Sequence, residues 1–162
     1  MAGSFELIYE QYYDKVFNFI YMRILNREDA EDITEDTFIK AMTAFGSYDP
    51  EKSSYITWLC TIARNCMVDH IRKSHRDKIV PFDETYEAGE IDSEIEKLTD
   101  DTERQVYDIM SHLKQDEREL LSMRYKLNMD YNQIAAVTGI SSKAAAKRVE
   151  RILKKCRDYV AL

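Results

Sequence analysis

Apolar residues recur every three to four positions through most of the chain, the spacing that places them on one face of an α-helix. The stretch Phe5–Arg23 predicts a first helix with a wide apolar face. Asn26 is predicted to end it and to cap a second helix, and Asp29 suits the positive end of that helix dipole. Gly46–Pro50 breaks the pattern, and a third helix is predicted over Tyr55–Lys73.

The helical spacing resumes after residue 102. One apolar stripe is expected to run through two helices at Val106, Ile109, Met110, Leu113, Leu120, Leu121 and Tyr125. Asp130 with Gln133 forms a capping-box pair for a short helix, and Ser141 is predicted to cap the last one. With only four Gly and two Pro, and without an alternating strand pattern, the chain is predicted to be all-α.

Charge is unevenly distributed along the chain, whose net charge is −7. Residues 83–103 contain ten acidic side chains and one basic side chain, so the remainder has a net charge of +2. This acidic stretch predicts a flexible linker, with a short helix near Ile91–Leu98. The expected organisation is two small helical domains, 1–74 and 103–162, joined by an acidic linker at 75–102.

Several classes of protein are disfavoured by what the chain contains. Apolar runs are far shorter than a membrane span needs, and the first residues do not have the pattern of a secretory signal. The three cysteines are expected to be small buried thiols in a reducing cytoplasm. Cys66 and His70 lie four apart without a second ligand pair, and no phosphate-binding loop or nucleophile motif occurs, so neither a metal, a cofactor nor an enzyme activity is expected.

Tyr131–Leu153 has the layout of a DNA-binding helix-turn-helix. Ala135 is small where two helices must approach, and Gly139 stands where the turn needs a left-handed backbone. A lysine-rich helix end is often just a solvated surface, but this spacing favours DNA contact. The residues predicted to contact DNA on the last helix are Ser142, Lys143, Lys147, Arg148, Arg151 and Lys154.

The second predicted helix has an acidic side opposite its apolar side. An acidic face is most often simply solvated, and the alternative is a docking surface for a basic partner. Its candidate residues are Asp32, Glu35, Asp36 and Ile39.

Two sets of residues together resemble the extracytoplasmic-function family of bacterial RNA polymerase sigma factors. The first is similar to the family's region two and comprises Ala30-Glu31-Asp32, Phe38, Trp58-Leu59, Ile62-Ala63-Arg64-Asn65, Asp69 and Ile71-Arg72. The second is similar to region four and comprises Leu113, Arg118, Arg124-Tyr125, Tyr131, Ile134-Ala135, Gly139-Ile140-Ser141 and Arg148. The two matches cover most of the chain outside the linker, in the family's order.

The resemblance implies a sigma factor that binds core polymerase through the clamp helices of its largest subunit and recognises promoter DNA. Asp32, Glu35 and Phe38 fall on the family's docking motif for those clamp helices. Region two would flip a base from the −10 element, and region four would bind the −35 element. The residues implied at the −10 element are Tyr48, Tyr55, Trp58, Arg64, Asn65, Arg72 and Lys73. Trp58 is expected mainly in the core, and Asp69 is expected to pair with Arg72 or Lys73. The resemblance also implies control by an anti-sigma factor.

This sequence departs from the family pattern at four places. Glu35 replaces the usual Gln, Ile56 replaces a frequent basic residue, and Lys114 replaces a proline. Ala144-Ala145-Ala146 stands at the usual Thr-Val-Lys, which implies a different −35 sequence. The rival hypotheses are a stand-alone DNA-binding regulator and a helical adaptor that inhibits a sigma factor. The acidic linker is a further candidate for masking the basic helix.

Overall fold

In the computed structural model, the backbone is described for residues 2–77 and 101–160, and side chains are described for residues 5–73 and 104–160. These parts of the chain form helices and connecting turns, without a strand, which confirms the all-α prediction. The predicted helix near Ile91–Leu98 lies outside the described residues. The α-helices are α1 (Ala2–Ile24), α2 (Arg27–Ala44), α3 (Tyr55–Asp77), α4 (Asp101–Ser111), α5 (Gln115–Leu121), α6 (Tyr131–Thr138) and α7 (Ser142–Val160).

The turn between α1 and α2 is held by a side-chain cap. The Asn26 side chain accepts a hydrogen bond from the Asp29 backbone N–H at 3.0 Å, as the sequence predicted. Leu25 before it is fully buried and has a φ of 56°, which a side chain other than glycine adopts only where packing enforces it. The tight reversal lets α2 fold back along α1.

Helices α1, α2 and α3 pack against each other and form the first bundle. Phe19, Ile33 and Leu59, one from each helix, are almost completely excluded from solvent. Aromatic rings extend this core at one end, where Phe38 of α2 meets Tyr9 edge-on at 5.0 Å between centroids. Burial of this aromatic and aliphatic surface sets the orientation of α2.

The second bundle, built from α4 to α7, departs from the expected apolar stripe at two positions. Tyr107 rather than Val106 is buried, because its ring packs against Tyr21 of α1, a partner that a local pattern does not reveal. Tyr125 is 55% exposed, although the sequence placed it in the stripe. It lies in a π-helical turn, Ser122–Lys126, whose wider winding rotates side chains out of the α-helical register and buries Met123 instead.

Local signals define the ends of α6 and the start of α7. The Asp130 carboxylate accepts from the Gln133 N–H at 2.8 Å, and the Gln133 side chain accepts from the Asp130 N–H at 2.9 Å. Gly139 ends α6 with a φ of 80°, and the Ser141 hydroxyl accepts from the Ala144 N–H at 3.1 Å. The predicted capping box, left-handed glycine and serine cap are therefore confirmed.

The two bundles are in direct contact, with α1 against α5 and α3 against α6. Their buried apolar residues form one continuous cluster. Within the parts of the chain that the structure describes, no helix is long and apolar enough to cross a membrane.

Candidate protein and nucleic-acid interfaces

One face of α2 is acidic and exposed. Asp32, Glu35 and Asp36 point to solvent, while Thr34 and Thr37 on the opposite side are fully buried. The two threonine hydroxyls donate to the carbonyls one turn earlier, at 2.6 and 2.7 Å, so burial leaves neither of them unsatisfied. This arrangement leaves the three carboxylates free to meet a partner.

Two apolar side chains extend this acidic face. Ile39 is 58% exposed, as the sequence predicted, and Met42 is exposed to the same extent. Met42 was missed, although its spacing of three residues from Ile39 puts both on one side of the helix. Exposed apolar groups beside carboxylates are typical of a protein-docking surface. We call Asp32, Glu35, Asp36, Ile39 and Met42 the α2 face.

Phe38, also predicted for this surface, lies beneath it. Its side chain is 3% exposed and packs against Phe5, Tyr9 and Tyr13. Phe38 is therefore a core residue that holds α2 in position from below.

An aromatic cluster lies where the loop after α2 meets α3. The rings of Tyr48 and Tyr55 stack at 4.5 Å between centroids, and Trp58 lies 4.8 Å from Tyr48. Burial, with Tyr55 next to it, raises the pKa of the Tyr48 hydroxyl, which stays protonated and donates to the Ser53 carbonyl at 2.6 Å. All three rings are half-buried, so each keeps some surface on which a base could stack.

The polar residues predicted on α3 divide into two groups. Asn65, Arg72 and Lys73 are exposed. Arg64 is instead directed toward the second bundle, where its Nε donates to Glu119 at 2.7 Å. The structure thus brings three of the four to the surface and holds the fourth between the bundles.

Asp69 has a different partner from the one expected. The sequence predicted a pair with Arg72 or Lys73 on the same helix, but the carboxylate lies 3.4 Å from Lys40 Nζ of α2. That prediction was wrong because packing of α2 against α3 brings a lysine from another helix within reach.

The outward side of α7 is strongly basic. Ala145, Val149 and Ile152 face inward and are buried, which turns the basic side chains to solvent. Ser142, at the start of the helix, is half-buried. The exposed basic residues of this surface, which we call the α7 face, are Lys143, Lys147, Arg148, Arg151 and Lys154. Lys155 beside them forms an ion pair with Glu117 at 3.2 Å.

Cys60 and Cys66 are buried, whereas Cys156 is only half-buried, which departs from the expected burial of all three thiols. Burial, and then the charge of Glu119, raise the pKa of Cys60 far above its ordinary value. The thiolate is the reactive form, so Cys60 is an inert core residue. Among the side chains that the structure describes, no group of three or more His, Cys, Asp or Glu residues is arranged to hold a metal ion.

Both halves of the chain match known protein families. Residues 8–77 match the sigma-70 region 2 family, and residues 103–156 match the sigma-70 region 4 family. The ECF RNA polymerase sigma factor BldN of Streptomyces coelicolor is 30% identical over 85% of this chain, which spans 53% of that protein's length. The RNA polymerase sigma factor YlaC of Bacillus subtilis is 30% identical over 85% of this chain and 81% of its own.

Two solved structures share the fold. The sigma factor RpoE of Bartonella quintana, solved in complex with the anti-sigma factor NepR, has a TM-score of 0.78 at 22% identity and is covered over 98% of both chains. CnrH in complex with the cytosolic domain of CnrY has a TM-score of 0.70 at 19% identity, over 99% of this chain and 90% of that one. The two family matches, their order and the relatives together show that the chain belongs to the extracytoplasmic-function family of RNA polymerase sigma factors.

Proposed function

We propose that this protein is an alternative sigma factor that binds core RNA polymerase and directs initiation at promoters with particular −10 and −35 elements. The observation that supports this most strongly is the pair of chemically opposite surfaces on one chain. The α2 face presents carboxylates with apolar groups, and the α7 face presents lysines and arginines. The first suits a basic protein helix, and the second suits DNA phosphates and guanine edges.

Residues 1–74 form region two in this proposal, 75–102 the linker, and 103–162 region four. The α2 face docks on the clamp helices of the largest polymerase subunit, with Phe38 supporting it from below. The apolar contact of Ile39 and Met42 contributes affinity, while the carboxylates favour a basic partner and speed the encounter.

The −10 element is assigned to the aromatic cluster and α3. Holding a flipped base requires stacking surface and positive charge near the opened strand, since extrusion of a base costs a few kcal/mol. Tyr48, Tyr55 and Trp58 supply the rings, and the charge comes from Arg64, Arg72 and Lys73, with Asn65 beside them.

The −35 element is assigned to α7, with Ser142 at its start and the α7 face along it. Its inward residues pack on the rest of the second bundle, so the helix can enter a major groove as a rigid unit. Each bundle alone binds DNA weakly, and docking on one polymerase raises the effective concentration of the second contact.

The protein acts by binding, without a catalytic step of its own, and works in the cytoplasm beside the polymerase. An anti-sigma factor restrains the protein in this proposal. The complex of the sigma factor RpoE, a protein of similar fold, with the anti-sigma factor NepR supports it.

The decisive experiment mixes the purified chain with core polymerase that lacks a sigma subunit and transcribes a library of promoter fragments. A stable complex and defined transcript starts are expected. Promoter binding that is equally tight without polymerase would indicate a stand-alone regulator. Absence of any complex with core would overturn the proposal.

A further inference from the structure

A carboxylate is buried where the two bundles meet. Glu119 of α5 is 1% exposed, and its side chain forms ion pairs with Arg23 of α1 and Arg64 of α3. The acid therefore comes from the second bundle and both bases from the first. A buried carboxylate is costly unless cations compensate it, so the environment that Glu119 requires is supplied by the other bundle.

The neighbouring residue reinforces the same contact. Arg118 is 3% exposed, and its Nε donates to the Met22 carbonyl at 2.7 Å and its Nη2 to the Arg23 carbonyl at 2.5 Å. These carbonyls belong to the last turn of α1, where helix geometry leaves backbone acceptors without partners. Arg118 also donates to the Leu113 carbonyl at 2.5 Å, which ties the end of α1 to the turn between α4 and α5.

Arg64 is occupied by this contact. Besides its bond to Glu119, its Nη1 donates to the carbonyl of Thr138, the last residue of α6, at 3.4 Å. Its side chain is only 33% exposed to solvent. Two of its three guanidinium nitrogens thus face the second bundle, and the side chain would have to leave Glu119 and Thr138 to extend toward a −10 strand.

The energetics of such a contact suit a reversible closure. The cost of desolvating buried charges largely cancels their attraction, so an ionic interface is finely balanced. Arg23 Nε is buried here without a hydrogen-bond partner, which weakens the closed form further. A partner that competes for one bundle can therefore separate the two.

We propose that the free protein is held closed by the cluster of Glu119, Arg23 and Arg64, and that Arg64 becomes available to DNA only when the two bundles separate. The closure rests on these contacts and on the apolar cluster that the two bundles share, whereas the role of the released Arg64 rests on the proposed function. The protein would thus carry an intramolecular restraint.

The test compares the full-length chain with Glu119→Gln by small-angle X-ray scattering. The amide keeps the shape of the side chain but leaves two guanidinium groups without a counter-charge. Wild type should have a radius of gyration near the roughly 15 Å of a compact chain of this length, and the variant a clearly larger one. Glu117→Gln is the matched control, because Glu117 lies on the same helix and its ion pair with Lys155 stays within the second bundle.

Release of Arg64 is measured by its modification with phenylglyoxal, followed by mass spectrometry. In Glu119→Gln, Arg64 should react about tenfold faster, as expected if the closed form outnumbers the open one by about ten to one. The exposed Arg148 of the same molecule serves as the internal reference. Circular dichroism shows whether Glu119→Gln folds. If it does not, Arg64→Gln replaces it in the scattering experiment, because it breaks the same ion cluster at a residue that is partly exposed.

A wild-type radius of gyration well above about 15 Å would overturn the closure. A folded Glu119→Gln or Arg64→Gln variant as compact as wild type would overturn the role of the ion cluster in holding it. Unchanged Arg64 reactivity in an opened variant would overturn the release of Arg64. If scattering and Arg64 reactivity are as expected but the protein does not bind core polymerase, the proposed function is wrong and the closure is still supported.

Discussion

The two bundles position their surfaces by different means. The α2 face is held by three long helices that pack around fully buried side chains such as Phe19 and Leu59. The α7 face is held by a sequence of local devices: a capping box at Asp130, a left-handed Gly139 and a serine cap at Ser141. Burial should therefore dominate the response of the first bundle to substitution, and backbone geometry that of the helix-turn-helix.

The largest effect is expected from removing a core ring in the first bundle. Phe19→Ala should lower the free energy of unfolding by about 3–5 kcal/mol, because the ring is fully buried and leaves a cavity. Phe17→Ala, two residues earlier, is the matched control, since that ring is only half-buried and stacks on Tyr13 at 6.5 Å. Urea denaturation measures both free energies of unfolding. Equal losses in the two variants would show that burial does not determine the stability of the first bundle.

The next largest effect is a loss of affinity for core polymerase, expected when the α2 face is changed. Asp32→Arg places a cation where a basic partner is proposed to dock, and like charges across an interface cost several kcal/mol. Affinity for core polymerase should fall by about a hundredfold or more, with unchanged helicity. Glu10→Arg makes the same charge change on an exposed position of α1 and should bind core normally. Equal binding by all three proteins would remove the α2 face as the docking surface.

A smaller effect is expected on the α7 face. Arg148→Ala should weaken binding of the assembled holoenzyme to its promoter by about 1–3 kcal/mol if the side chain contacts a base. Arg157→Ala is the matched control, since nine residues place that exposed arginine about half a turn around the same helix. Fluorescence anisotropy with promoter fragments measures both, and similar losses would indicate a general charge effect.

The local signals of the sequence predicted a large part of the fold. Asn26, Asp130, Gly139 and Ser141 act within a few residues of their own position, so their roles can be recognised without knowing the tertiary structure. The exposed α2 and α7 faces were likewise predictable, because helical periodicity assigns their sides.

The remaining features depend on contacts between distant residues. Tyr107 is buried by Tyr21, and Asp69 pairs with Lys40, 29 residues away. Arg64 was predicted only as a DNA contact, since nothing in its local sequence indicates a buried acid 55 residues further on. The closed arrangement of the bundles was not predicted for the same reason, since the local pattern of neither unit indicates which of its faces meets the other.

The smallest effect is expected from replacing one glycine in each bundle with alanine. Gly139→Ala should destabilise the protein by about 1–2 kcal/mol, because a φ of 80° strains any L side chain although no atom lies within 4 Å of the added carbon. Gly46→Ala also meets open space but without a positive φ, so it should stabilise by about 0.4–1 kcal/mol through the unfolded chain. The urea midpoints should therefore move in opposite directions. Midpoints that move the same way would mean that the left-handed turn can relax, and that α6 and α7 are oriented by packing, as the helices of the first bundle are.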